Sequence, residues 1–406
     1  MRVWKKQLGL LAAAVLLVTA CTTTPGVPAS PTPGTPSTPG APASPAETGS
    51  PVATGSPTGD LTEVSLQLQW EPQAQFAGYF AADREGYYAE EGLEVNILRG
   101  GAEIIPQNVG SDPNGPEFTI SWVPKVLEVR ASEESQSDLV NIAQVFQRSG
   151  TRSVSWAAGR GPAPQSQDNI TSPEHFAGKR VGVWDFGNEY EVTAAGLKHG
   201  LEPNVDYTKV IQPFDMSLLL NREIDVAEAM IYNEYAQVLE ATNPETGELW
   251  QPEDLNVIDY NEVGTAMLQD AIFARESWLA EPGNEDIAVR FLRASFRGWI
   301  FCRENPDTCI QYTVDAGSTL PAGHQRWMMN EINPLIWPSP NGIGAMPVDM
   351  WDQTVEVSKG AGIIPGDPDE GAYRTDLADR ARADIDADVN ANNFQKGTVE
   401  VTPGGR

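Results

Sequence analysis

The chain predicts an α/β body built of two lobes, and three observations carry that expectation. From residue 61 to residue 274, short runs rich in Val, Ile and aromatics alternate with helix-type patterns, as in sheets whose connections are helices. At 406 residues, with 40% hydrophobic content, 11 Trp, 10 Tyr and 12 Phe, the chain is long enough for two domains and can supply a core to each. Beyond Ala274 the strand-type runs nearly vanish and amphipathic helical patterns take over.

The candidate strands are Val64–Trp70, Leu93–Leu98, Glu117–Trp122, Leu139–Phe146, Arg180–Asp185, Thr208–Gln212, Asp225–Tyr232, Val257–Tyr260 and Ala271–Ala274. Helix patterns lie between them at Gln75–Glu91 and Glu189–His199, and the alternation argues for parallel sheets covered by helices. Residues 284–304 place Ile287, Phe291, Leu292, Phe296, Trp299 and Ile300 at helical spacing, with Asn284 as cap and acids in the first turn, so a long helix with one buried face is expected. Cys302 and Cys309 flank Asn305-Pro306, where this helix should end. In an exported protein a disulfide there is reasonable, with two buried thiols as the alternative. Residues 366–406 read as one helix and a tail.

The N-terminal segment supplies an address. Arg2, Lys5 and Lys6 precede an uncharged stretch from Leu8 to Ala20, the pattern of a cleaved export signal over residues 1–20. Val18-Thr19-Ala20-Cys21 resembles the bacterial lipobox, which implies Cys21 as the acylated N-terminus of the mature protein, held on the extracytoplasmic face of the cell membrane; the alternative is an ordinary export signal with an incidental Cys. Residues 22–60 hold ten prolines and no aromatic, Leu, Ile or basic residue. With Cys21 they are expected to form a disordered tether over 21–60.

Charge and composition exclude several function classes. With 27 Lys+Arg against 56 Asp+Glu the formal net charge is −29, which would repel a nucleic acid. His175, His199 and His324, with the three cysteines, are too scattered for a zinc or iron–sulfur site, so no metal and no cofactor are expected. There is no phosphate-cradling Gly-rich loop and no nucleophile elbow. No catalytic residue is assigned: carboxylates are too abundant for a pair to stand out, and Glu189 and Glu234, which could serve as acid–base groups, read rather as hydrogen-bonding or solvated ones.

The distribution of aromatics points to a ligand site instead. Candidate strands end on Trp70, Trp122 and Trp184, the run SVSW ends on Trp156, and a fifth ends on Tyr232. Ligands of open α/β sheets bind beyond the carboxyl ends of the strands, where rings can stack on a flat, neutral molecule. Polar groups adjoin these ends, and the candidate binding residues are Trp70, Gln75, Trp122, Trp184, Asn188, Glu189, Tyr232, Asn233 and Glu234. Lys125, Lys179 and Arg180 read as surface charges, which disfavours an anionic ligand.

The run LQLQWEPQAQFAGYFAADREGYYAEEGLEVNIL, residues 66–98, resembles the solute-binding proteins of ABC importers related to the yeast thiamine pyrimidine synthase and the bacterial formylaminopyrimidine-binding proteins. The likeness rests on a strand ending in Trp, a helix with A-G-[FY], and the run from Gly86 to Val95, G-[FY]-[FY]-x-E-E-G-L-x-V. GKRVGVWDFGNEY (178–190) and IDVAEAMIYNEY (224–235) fit the same family, over roughly residues 61–360. The runs QPFDMSLLL, RASFRGWIFCREN and HQRWMMNEINPLIWPSPNGIG are most similar to a subgroup of riboflavin-importer lipoproteins.

The resemblance implies a type II periplasmic-binding-protein fold, with two α/β lobes and a ligand cleft between them: residues 61–150 plus 270–406 as lobe 1 and 151–269 as lobe 2. It implies riboflavin as ligand, and as partners an ABC permease with its ATPase. A monomer without catalytic activity is expected. The alternatives are a thiamine-precursor pyrimidine of the formylaminopyrimidine type as cargo, and an enzyme acting on a pyrimidine. The segment HQRWMMNEINPLIW is expected to pack behind the lobes, outside the site.

Overall fold

The structure, a computed structural model, describes residues 61–406. The export signal, Cys21 and the tether lie outside the described residues.

Ten strands build the body. β1 (Thr62–Gln67), β2 (Leu93–Leu98), β3 (Phe118–Ser121), β4 (Leu139–Gln144) and a late strand, β10 (Ala271–Arg275), form one sheet in the order β2-β1-β3-β10-β4. β5 (Thr151–Trp156), β8 (Ala227–Met230) and β9 (Leu255–Asp259) form a second sheet in the order β8-β5-β9. β6 (Arg180–Val183) and β7 (Thr208–Ile211) pair in parallel, and a parallel bridge from Val181 to Val226 joins them to the second sheet. The chain passes from the first sheet to the second through residues 145–150 and returns through 260–270.

The all-parallel expectation is corrected. β1, β2 and β3 are parallel, but β10 runs antiparallel to β3 and β4, and β5 runs antiparallel to β8 and β9. The reason is connectivity: β5 and β10 directly follow the two passages and enter their sheets from the opposite end.

The helix expected over Gln75–Glu91 is broken. A short turn at Ala74–Phe76 leads into the Ala77–Arg84 helix, Gly86 adopts φ +77, and a single turn follows at Tyr87–Glu90. Only glycine takes that left-handed backbone without strain, which accounts for the glycine opening the Gly86–Val95 run. The Asn284–Glu304 helix has the expected bounds, but Gly283 at φ +94 occupies the cap position and Asn284 is the first helical residue. This helix crosses the Ala77–Arg84 helix at Gly78 and Gly298. A Cβ on Gly78 would enter the Trp299 ring, and one on Gly298 would strike the Gly78 carbonyl. The glycine of the A-G-[FY] pattern is therefore a packing requirement. Cys302 and Cys309 are joined in a disulfide that ties the end of this helix to the next, Pro306–Asp315.

Candidate ligand-binding site

Four strands deliver aromatics to one cleft. Trp70 lies three residues beyond β1, Trp122 and Trp184 directly follow β3 and β6, and Tyr232 lies two residues beyond β8. Together with Gln75, Asn188, Asn233 and Glu234 they line a cavity of about 270 Å³. Glu189 is the candidate residue the structure leaves out. Its carboxylate turns back to accept the Gly187 N–H at 3.0 Å and faces Lys209 Nζ at 3.6 Å. Trp156 is likewise elsewhere, packed on Trp250 with 4.6 Å between ring centroids and donating to the Leu219 carbonyl.

The side of the cavity nearest the first sheet is organised by a hydrogen-bond network. Its hub is Asp270, at the end of the second passage. Oδ1 accepts Trp122 Nε1–H at 2.8 Å, and Oδ2 accepts Gln75 Nε2–H at 2.7 Å. Gln75 Oε1 in turn accepts from Gln73. Burial pushes the Asp270 carboxyl up to about 6, against the hydrogen bonds from Gln75 and Trp122 that favour its charge. This ordering role had no signal in the local sequence around Asp270.

Lys125 departs from its sequence reading as a surface charge. It is buried, lines the cavity, stands 4.4 Å from the centroid of the Trp122 ring and donates to Asn188 Oδ1 at 2.7 Å. Burial draws its pKa down to about 8, opposed by the carboxylates of Asp270, Glu189 and Glu228. A Lys in the first turn of the Val123–Ala131 helix reads as solvated; only the tertiary fold turns that helix face into the cleft.

On the second-sheet side, Trp184 is fixed by its backbone N–H, which donates to Glu228 Oε2 at 2.9 Å, and by its indole N–H, which donates to the Pro213 carbonyl at 3.1 Å. Glu234 accepts the Met230 N–H at 3.0 Å and Asn233 Nδ2–H at 2.9 Å, and burial pushes its carboxyl up to about 7. Near neutral pH it can therefore donate or accept a proton in a hydrogen bond. Glu191, behind this wall, accepts from Ser149 on the first passage at 2.7 Å and from the Met267 N–H on the second at 3.1 Å, with burial raising it to about 8.

Phe214, which sequence reasoning missed because it sits in a loop, joins the two walls. Its ring lies 4.3 Å from Trp70 and 6.0 Å from Trp184, nearly parallel to the latter at 16°. Phe186 and Phe214, 64% and 44% exposed, form an apolar rim, and Phe186 holds φ +63, a strained backbone for a bulky side chain. Two buried amide oxygens in the lining, Gln69 Oε1 and Gln107 Oε1, have no hydrogen-bond partner among the described residues. Such orphans carry a desolvation cost that a ligand donor would relieve. Among the described residues no group of three or more His, Cys, Asp or Glu is placed to hold a metal ion.

Two sheets joined by two passages, with an aromatic cavity beyond the strand ends, define the class: a solute-binding protein of the ABC-import type in the type II periplasmic-binding-protein fold. The fold matches the periplasmic sulfonate-binding protein SsuA of Methylobacillus flagellatus KT with a TM-score of 0.56 at 16% identity, over 80% of this chain and 94% of that one. Residues 73–309, more than half of the chain, match the family model described as NMT1/THI5 like, and the chain belongs to that family. It is 25% identical over 360 residues to the riboflavin-binding protein RibY of Chloroflexus aurantiacus, covering 86% of this chain and 91% of the relative. It is 26% identical over 255 residues to the formylaminopyrimidine-binding protein of Halalkalibacterium halodurans, covering 62% of this chain and 69% of that relative. Among the described residues no helix is long and apolar enough to cross a membrane.

Proposed function

We propose that the chain binds riboflavin outside the cell, held at the membrane through a lipid on Cys21, and delivers it unchanged to an ABC permease powered by its ATPase. The observation that carries this reading is the cavity's construction. Indole and phenyl rings from both sides line the cavity, and its polar margin offers orphan amide acceptors beside the Lys125 and Asn233 donors. Stacking walls suit the flat isoalloxazine, and the mixed margin suits its uracil-like edge, where an N–H lies between two carbonyls. The similarity to RibY over most of both chains supports the same cargo. In this reading residues 61–150 plus 270–406 and residues 151–269 act as two lobes, and closure around the ligand marks the loaded state.

The second relative favours another cargo, a pyrimidine of the formylaminopyrimidine type. At about 270 Å³ the cavity sits at the small end for ligand pockets, which suits one ring as it stands. A tricyclic flavin requires more room, and in the proposed reading the Phe214 ring gives it by leaving its contacts with Trp70 and Trp184.

Titration with riboflavin tests the proposal. One equivalent should quench flavin fluorescence, Trp70→Ala and Trp184→Ala should each weaken binding, and prolonged incubation should leave the flavin's mass unchanged. Equal affinity in both variants would remove the aromatic site from the account, and a changed mass would revive the enzyme alternative.

A further inference from the structure

The segment expected to pack behind the lobes does so, and from there it bonds both polar edges of the cavity. The Ala322–Ile336 helix carries His324 and Gln325 in its first turn, both with no exposed surface. His324 turns to the second-sheet side: Nε2 lies 3.0 Å from Asn233 Oδ1, and Nδ1 lies 2.9 and 3.0 Å from the two Glu240 oxygens. Gln325 turns to the first-sheet side, where its Oε1 accepts the Ala74 N–H at 2.6 Å and its Nε2 donates to Ser318. Ala74 sits between Gln73 and Gln75, and Asn233 adjoins Glu234, so consecutive residues of one helix grip the two polar edges of the cavity.

The grip also decides what those edges present. Asn233 Oδ1 lies against His324 Nε2 and accepts from Gln237 Nε2, and its Nδ2 donates to Glu234, so the side chain is held on three sides. Gly405, at φ +66, closes the back of the seat so tightly that a side chain there would press on His324 Cβ and the Glu240 carboxylate. The seat leaves little room for the helix start to shift.

We infer that His324 and Gln325 are a positioning pair that sets the spacing and orientation of the Gln73–Gln75 and Asn233–Glu234 edges, and thereby which ring system the cavity prefers. The inference rests on the proposed reading of the cavity as the ligand site. Neither residue lines the cavity, so they act through the groups they hold.

The test uses the full chain and compares riboflavin with formylaminopyrimidine. His324→Ala and Gln325→Leu should each change the ratio of the two affinities by about tenfold, the scale of one lost buried hydrogen bond. Gln325→Glu keeps an acceptor for Ala74 and should return the ratio to within about threefold of wild type. Hydrogen exchange without ligand should be faster over residues 230–237 in His324→Ala and over 73–76 in Gln325→Leu. Lower thermal stability with an unchanged ratio in both variants, while the wild type binds, overturns the inference alone. Binding of neither compound by the wild type overturns the ligand reading and this inference with it. If His324→Ala does not fold, Gln325→Leu and its Glu counterpart decide the question by the same ratio.

Discussion

The two walls of the cavity are built differently. On the first-sheet side Trp122 and Gln75 are buried and bonded to one carboxylate, Asp270, so their positions are set before any ligand arrives. On the second-sheet side Trp184 is anchored, but the rings around it, Phe186 and Phe214, stand on loops and remain largely exposed. The first wall has little ordering cost left to meet on binding, whereas the second still holds apolar surface for a ligand to cover, at about 25 cal/mol per Å². A preformed wall supplies geometry, and an open one supplies driving force and access.

The sharpest way to break this comparison is at the hub. Asp270→Ala leaves the Trp122 N–H and the Gln75 amide without their acceptor, and affinity for riboflavin should fall about 100-fold, the scale of two lost charge-assisted hydrogen bonds. If affinity falls less than in Phe214→Ala, the first wall is not the preorganised one. Trp184→Ala should cost about 1–3 kcal/mol, the scale of one stacking platform, read by calorimetry. Phe214→Ala should change affinity only about threefold, because the apolar surface the ring offers the ligand is offset by the Trp70 and Trp184 contacts it gives up on withdrawing, and should raise association and dissociation rates together in stopped-flow fluorescence. Glu189→Gln should leave affinity within about twofold, since its carboxylate bonds its own turn rather than facing the cavity.

The buried carboxyls add a pH signature. Burial raises Asp270, Glu234 and Glu191 to about 6, 7 and 8. Each then binds more protons folded than unfolded, so its contribution is full below the ordinary carboxylate range and is lost as pH rises through the folded value. Lys125, drawn down to about 8, acts only above that pH, where stability rises toward the ordinary lysine range. The thermal midpoint should therefore fall between about pH 5 and pH 8, and Glu191→Gln should flatten the upper part of the fall. A midpoint that rises over this window contradicts the burial assigned to these groups.

The sequence made part of this site legible. Trp70, Trp122, Trp184 and Tyr232 were visible because a strand's end is written in its own residues, and strands of like direction end at one edge. Trp156 misled for the same reason: it ends β5, which runs antiparallel to β8, so it lies at the opposite end of the sheet from Tyr232. Strand direction is a tertiary property. Asp270 is 148 positions from the indole it holds, and Lys125 and His324 sit in helical turns with no local mark of burial. Buried polar partners are chosen by the fold, and a single sequence read in windows does not contain their pairing. The break at Gly86 is of another kind, a local backbone requirement present in the sequence but masked by the helical periodicity on either side of it.

The most direct test of the central claim is native mass spectrometry of the purified protein mixed with equal amounts of riboflavin and formylaminopyrimidine. The account predicts a one-to-one riboflavin adduct that survives the competition and is weakened by Trp184→Ala. A pyrimidine adduct, or no adduct at all, would contradict the assignment of the cavity to a flavin.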